Sequence, residues 1–175
     1  MMLRIFIASS IDRFPGLTPL MEDLESIKGS RPVRTRELHL TFSFIGEISG
    51  TELRVIQDRF AELQCDRYIL KLSGLGSFPA AGRARVLFIN VEQNAEIMEN
   101  WLKISSLTGN TVSPEREFIP HITVCRFRIP CDTSSLVTKY KYMGFTQQIQ
   151  KISIFRSVLS GDGPEYDEIC ALQLK

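Results

Sequence analysis

The sequence predicts an α+β fold of two similar lobes, each an antiparallel sheet with helices on its outer face, facing one another across a cleft. Three observations carry this prediction. The only two histidines of the chain open the same four-residue pattern, His39-Leu40-Thr41-Phe42 and His121-Ile122-Thr123-Val124. The offset between them, 82 residues, also separates two strand-like pairs of runs. Between those runs the apolar spacing changes from period two to helical.

The first element is an opening strand, Met1-Met2-Leu3-Arg4-Ile5-Phe6-Ile7. Leu17, Leu20, Met21, Leu24 and Ile27 then recur at helical spacing, and Gly29-Ser30 punctuates that helix. The first histidine strand follows. A second helix starts at the capping-box sequence Ser49-Gly50-Thr51-Glu52 and buries Leu53, Ile56, Phe60 and Leu63. Ile69-Leu70-Lys71-Leu72 closes the first half as a strand.

The segment Gly74 to Arg83 reads as a turn-rich connector. It lacks the Lys-Ser/Thr and the following helix of a phosphate loop. Beyond it the pattern repeats. Val86-Leu87-Phe88-Ile89-Asn90 falls on Arg4 to Ala8, with Phe88 on Phe6 and Ile89 on Ile7. Ile97, Met98, Trp101, Leu102 and Ser105, with Ile104 nearby, form the next helical stripe, punctuated by Gly109-Asn110. The second histidine strand follows, then a shorter and weaker helical stretch around Ser134 to Tyr142. Lys151 to Ile154 matches Ile69 to Leu72, and Glu168 to Leu174 makes a last strand. We read residues 1–175 as a single two-lobed domain built on an internal repeat of 82 residues, with a pseudo-twofold axis bringing the histidine strands together.

Composition narrows the function. The chain is 43% apolar and 23% charged, values of a soluble globular protein. A net charge of +1 argues against a broad basic coat for nucleic acid, but leaves room for a pocket that holds one phosphate or one strand end. Cys65, Cys125, Cys131 and Cys170 include no C-x-x-C pair and no zinc spacing, as suits thiols in a reducing compartment. The opening strand does not read as a signal peptide, and no apolar run is long enough to cross a bilayer. A cytoplasmic, monomeric protein with no membrane partner is expected.

The histidine motifs carry the chemistry. Side chains alternate along a strand, so His39 and Thr41 share one face, as do His121 and Thr123. With ten Thr in the chain, a Thr two places after both histidines is about a 1-in-300 coincidence. Imidazole titrates near neutrality, so one can accept a proton while another donates one. Phosphodiester hydrolysis needs both, on opposite sides of phosphorus. Thr41 and Thr123 hydroxyls can donate to the non-bridging oxygens of the transition state. A strained five-membered cyclic phosphate can be opened in this way without a metal, and no carboxylate cluster suggests one. The two motifs are near-equivalent, so the residues alone do not say which histidine is acid and which is base.

Two H-x-T-x motifs in a duplicated chain of this length resemble the 2H phosphoesterase superfamily, and within it the RNA 2′,3′-cyclic phosphodiesterase family, also called 2′-5′ RNA ligase-like. The resemblance runs along nearly the whole chain. It is carried by Glu37-Leu38-His39-Leu40-Thr41-Phe42-Ser43-Phe44-Ile45-Gly46, Leu75-Gly76-Ser77-Phe78-Pro79, Pro120-His121-Ile122-Thr123-Val124-Cys125-Arg126 and Phe155-Arg156-Ser157.

The resemblance implies metal-independent hydrolysis of an RNA 2′,3′-cyclic phosphate to a 2′-phosphomonoester, with no cofactor. His39 would be the general acid on the leaving 3′-oxygen, and His121 the general base on water. Phe44 and Arg126, each five residues beyond its histidine, would flank the terminal base by stacking and by cation–π or phosphate contact. In a regular strand a residue five places on lies on the opposite face, so these two require a bulge or twist, or else sit in the core. Arg34, Arg36, Arg116 and Arg128 could guide RNA to the cleft. Joining of RNA ends, tRNA halves among them, through 2′-5′ bonds would be a side activity. The alternatives are a small cyclic nucleotide as substrate and a non-catalytic nucleotide- or RNA-binding module.

Overall fold

The computed structural model describes residues 2–107, 118–160 and 163–175. The chain is α+β, with two antiparallel sheets and four α-helices among the described residues. In order, its elements are β1 (Met2–Ser10), α1 (Leu17–Glu25), β2 (Ser30–Pro32), β3 (His39–Ser49), α2 (Gly50–Ala61), β4 (Tyr68–Phe78), β5 (Ala84–Val91), α3 (Ala95–Leu107), β6 (His121–Cys131), α4 (Ser134–Lys139), β7 (Gly144–Ile149), β8 (Lys151–Ser160) and β9 (Gly163–Gln173). Short 3-10 turns at Thr35–Glu37 and Ala81–Arg83 precede β3 and β5.

The sheets are ordered β3-β1-β8-β9 and β2-β6-β5-β4-β7. The lobes therefore do not coincide with the two halves of the sequence. β4, from the first half, pairs with β5 in the second sheet, while β8, from the second half, pairs with β1 in the first. The first half lends β2 and β4 to the second sheet, and the second half lends β8 and β9 to the first. One buried cluster runs through both lobes as a result. It joins Ile5, Ile7, Leu40, Phe42, Ile152 and Ile154 of the first sheet to Leu70, Leu72, Leu87, Ile89, Ile122 and Val124 of the second.

The helices form where the apolar spacing places them. α1 buries Leu17, Leu20, Met21 and Leu24, but ends before Ile27, and Gly29 takes the left-handed φ of 84° that turns the chain into β2. α2 begins at the expected capping box. The Glu52 amide donates to Ser49 Oγ at 3.2 Å, and the Ser49 amide donates back to Glu52 Oε2 at 2.7 Å. α4 is only six residues long, as its weak pattern suggests. Gly109-Asn110, expected to end α3, lie outside the described residues. The edge strands β2 and β7 carry too little alternation to be read from sequence.

Candidate active site

The site is built on β3 and β6, which touch one another across the two sheets. His39 pairs with Ser10 and Thr41 with Ala8, which puts both side chains on the face of Phe6 and Ala8. His121 pairs with Asn90 and Thr123 with Phe88, on the face of Asn90, Phe88 and Val86. Leu40, Phe42, Ile122 and Val124 point the other way and are buried.

Strict alternation would then send Phe44 and Arg126 into the core. It does not, because each strand bulges after its threonine. Ala8 pairs with Thr41 but Ile7 with Ser43, so Phe42 is skipped; Phe88 pairs with Thr123 but Leu87 with Cys125, so Val124 is skipped. The skipped residues are themselves 82 positions apart. Each bulge flips the later residues by one face. Phe44 thus pairs with Phe6 and Arg126 with Val86, back on the faces of the histidines. Phe44 is 70% exposed, with its ring centroid 6.1 Å from that of Phe6, and Arg126 is exposed.

Both imidazoles are fixed in the same way. His39 Nδ1 lies 2.7 Å from the carbonyl oxygen of Glu37, and His121 Nδ1 lies 2.8 Å from that of Ile119. A carbonyl only accepts, so Nδ1 must carry the proton in each case, which leaves Nε2 outside that contact. The anchoring carbonyl is two residues upstream both times, supplied by the chain entering the strand.

Aromatic rings hold the imidazoles from beneath. Phe6 lies 5.0 Å from His39, and Phe88 lies 5.1 Å from His121, centroid to centroid. Phe155 stacks on Phe6 at 5.3 Å, and Phe78 stacks on Phe88 at 4.4 Å while meeting His121 edge-on. Gly76 makes room on the second side. A Cβ there would stand 2.4 Å from the Phe88 ring, so only glycine lets that ring lie flat over β4.

The electrostatics link the two strands. Burial, and then the charges of Arg126 and His121 on the facing sheet, lower the His39 pKa, against the raising effect of the Glu37 carbonyl. Tyr166 of β9 is a site residue that the sequence reading missed. Its ring meets His39 edge-on at 5.2 Å and Phe6 at 4.9 Å, and its hydroxyl pKa is raised, chiefly by burial. The recess beside His39, lined by Ser10, Glu37, Phe155 and Tyr166, holds about 40 Å³, far too little for a nucleotide. Phe44 stands outside this recess, on the open face.

The other basic residues divide. Arg34 and Arg36 do not face the cleft as loose cations: both reach Glu165, at 3.0 and 3.8 Å. Arg116 lies outside the described residues, and Arg128 is exposed. Among the described residues no group of three His, Cys, Asp or Glu side chains is placed to hold a metal ion.

Comparison with known proteins gives the family. A family model described as LigT like phosphoesterase matches residues 12–88. The RNA 2′,3′-cyclic phosphodiesterase of Aeropyrum pernix is 32% identical over 145 residues, spanning 78% of this chain and 81% of the relative. The chain belongs to the LigT-like phosphoesterase family. A second relative of this LigT-like chain, the RNA 2′,3′-cyclic phosphodiesterase of Archaeoglobus fulgidus, is 26% identical over 95% of the chain and 98% of its own length. Escherichia coli LigT complexed with 3′-AMP shares the LigT-like fold at a TM-score of 0.77, with 17% identity and 99% of each chain covered. A protein of Thermus thermophilus does so at 0.75, with 24% identity and 98% of each covered.

Proposed function

We propose that the protein hydrolyses the 2′,3′-cyclic phosphate at an RNA 3′ end to a 2′-phosphomonoester, by metal-independent acid–base catalysis. The observation that carries this reading is the matched pair of H-x-T strands, each with its imidazole anchored through Nδ1 and its Nε2 left unengaged by that anchor. The names of the relatives from Aeropyrum pernix and Archaeoglobus fulgidus support the substrate class.

In the proposed step His121 Nε2 takes a proton from water as the water oxygen attacks phosphorus. The bond from phosphorus to the 3′-oxygen breaks, and His39 Nε2–H protonates that oxygen. The phosphate stays on the 2′-oxygen. Thr41 and Thr123 hydroxyls donate to the non-bridging oxygens as charge builds there. Phe44 stacks on the terminal base and Arg126 contacts the base or the phosphate. Each imidazole supplies about 10²–10⁴ of the rate. Release of ring strain favours opening, so metal is not required. By microscopic reversibility the same groups would join a 5′-hydroxyl to a cyclic phosphate through a 2′-5′ bond; water competes, and ligation is a side activity.

The test is incubation with an oligoribonucleotide bearing a 2′,3′-cyclic end, in EDTA, followed by identification of the new end group. The expected product is the 2′-phosphate. An unopened ring, a 3′-phosphate or a strict metal requirement would overturn the reading.

A further inference from the structure

Charge is unevenly distributed in this nearly neutral chain. The segments 28–36, 79–91 and 118–131 contain eight Lys and Arg residues and no Asp or Glu, although the net charge of the whole is +1. These segments form β2, β5 and β6 and their approaches, side by side in the second sheet. Arg31 of β2 pairs directly with Arg126 of β6, so the two side chains rise from the same face, the face of His121 and Thr123. Arg128 follows two residues along β6, and Arg85 of β5 donates to the Arg128 carbonyl oxygen at 2.8 Å. Like charges directly opposite one another across a strand pair are destabilising. Three other arginines are paired: Arg34 and Arg36 with Glu165, and Arg156 with Asp167. Among the described residues no ion pair engages Arg31, Arg126, Arg85 or Arg128.

We propose that this arginine row is a track for the strand upstream of the reacting end, with Arg31 contacting the first internucleotide phosphate beyond the terminal nucleotide. The inference deepens the RNA reading above and rests on it: the site prefers an RNA strand to a cyclic mononucleotide. Arg31 stands one strand spacing, about 4.8 Å, outward from Arg126. That step carries the positive row away from the histidines along the edge of the sheet. In the first sheet the carboxylates Glu165 and Asp167 lie along β9. A strand end held at three or four arginines binds with a salt dependence set by the phosphates neutralised, about one unit of slope for each.

The test compares wild type with Arg31→Ala and Arg31→Lys. Binding of a 5′-fluorescein hexaribonucleotide ending in a linear 2′-phosphate is followed by anisotropy across a salt series, which needs no turnover. Opening of a 2′,3′-cyclic mononucleotide and of a hexamer with the same terminal nucleotide and a cyclic end is measured beside it. Expected are a loss of about one unit of salt slope in Arg31→Ala, about tenfold weaker hexamer binding at low salt, and partial recovery in Arg31→Lys. Mononucleotide opening stays at the wild-type rate while kcat/KM on the hexamer falls. An unchanged salt slope, or an equal loss on both substrates, would overturn the track. Failure of the wild type to open either substrate would refute the proposed hydrolysis instead, and the binding series would still decide the track.

Discussion

His39 and Arg126 stand on different sheets, and after burial the guanidinium is the leading influence that holds the imidazole below the ordinary histidine range. The coupling exists because the β6 bulge returns Arg126 to the cleft face. It gives the pH dependence a definite sign.

A group with a lowered pKa gives up its proton more readily, so protonated His39 is a stronger acid but is populated only at lower pH. If His39 is the acid, kcat/KM declines as pH rises through its free-enzyme pKa, and that limb lies below the usual histidine value of about 6.5. Arg126→Gln removes one lowering charge and moves the limb upward. NMR titration of the His39 ring, in wild type and variant, checks the same shift without turnover. A limb that stays put would separate Arg126 from His39.

The same shift acts on stability. The unfolded chain titrates His39 near the usual value and the folded chain titrates it lower. Between the two, the unfolded state binds more protons. Folding is therefore weakened as pH falls through that window, and the His39 contribution is fully present above it. Denaturant midpoints of wild type and His39→Gln, taken across this pH range, should diverge on the acid side in that sense.

Gly76 and Phe88 form a close packing pair. Gly76→Ala places a methyl at 2.4 Å from the ring, and Phe88 must leave its place beneath His121. Overpacking of this kind costs about 1–3 kcal/mol, which lowers Tm by about 2–4 °C per kcal/mol in a chain of this size. Turnover should fall as well, since His121 loses its support. Wild-type Tm and kcat in this variant would show that Phe88 does not position the imidazole.

Phe44 is an exposed ring with little to contribute to folding. Phe44→Ala should leave stability within about 0.5 kcal/mol of wild type, yet weaken nucleotide binding by the roughly 1–3 kcal/mol of a base stack. The expected reading is a higher KM with kcat little changed. Unaltered KM would remove Phe44 from the site.

The legible parts of this protein were those written in local patterns. The histidine and threonine pairs show in a period of two, α2 in its capping box, and α1 and α3 in their apolar stripes. The positions of Phe44 and Arg126 were not legible, because a bulge depends on register against a partner strand, and Phe42 and Val124 are ordinary apolar residues. The exchange of β4 and β8 between lobes was hidden for the same reason: pairing across tens of residues leaves no local mark. Tyr166 reaches His39 only through the register of β9 on β8, and nothing in its neighbourhood sets it apart. Arg34 and Arg36 looked like free cations until Glu165, far along the chain, was placed beside them.

The central claim is that two imidazoles act on one phosphorus from opposite sides. The most direct measurement is the rate of cyclic-phosphate opening by His39→Ala and by His121→Ala, with binding of a 2′-phosphate product measured in parallel. The account predicts a loss of about 10²–10⁴ in kcat for each variant, with product binding retained. Wild-type turnover in either one would contradict it.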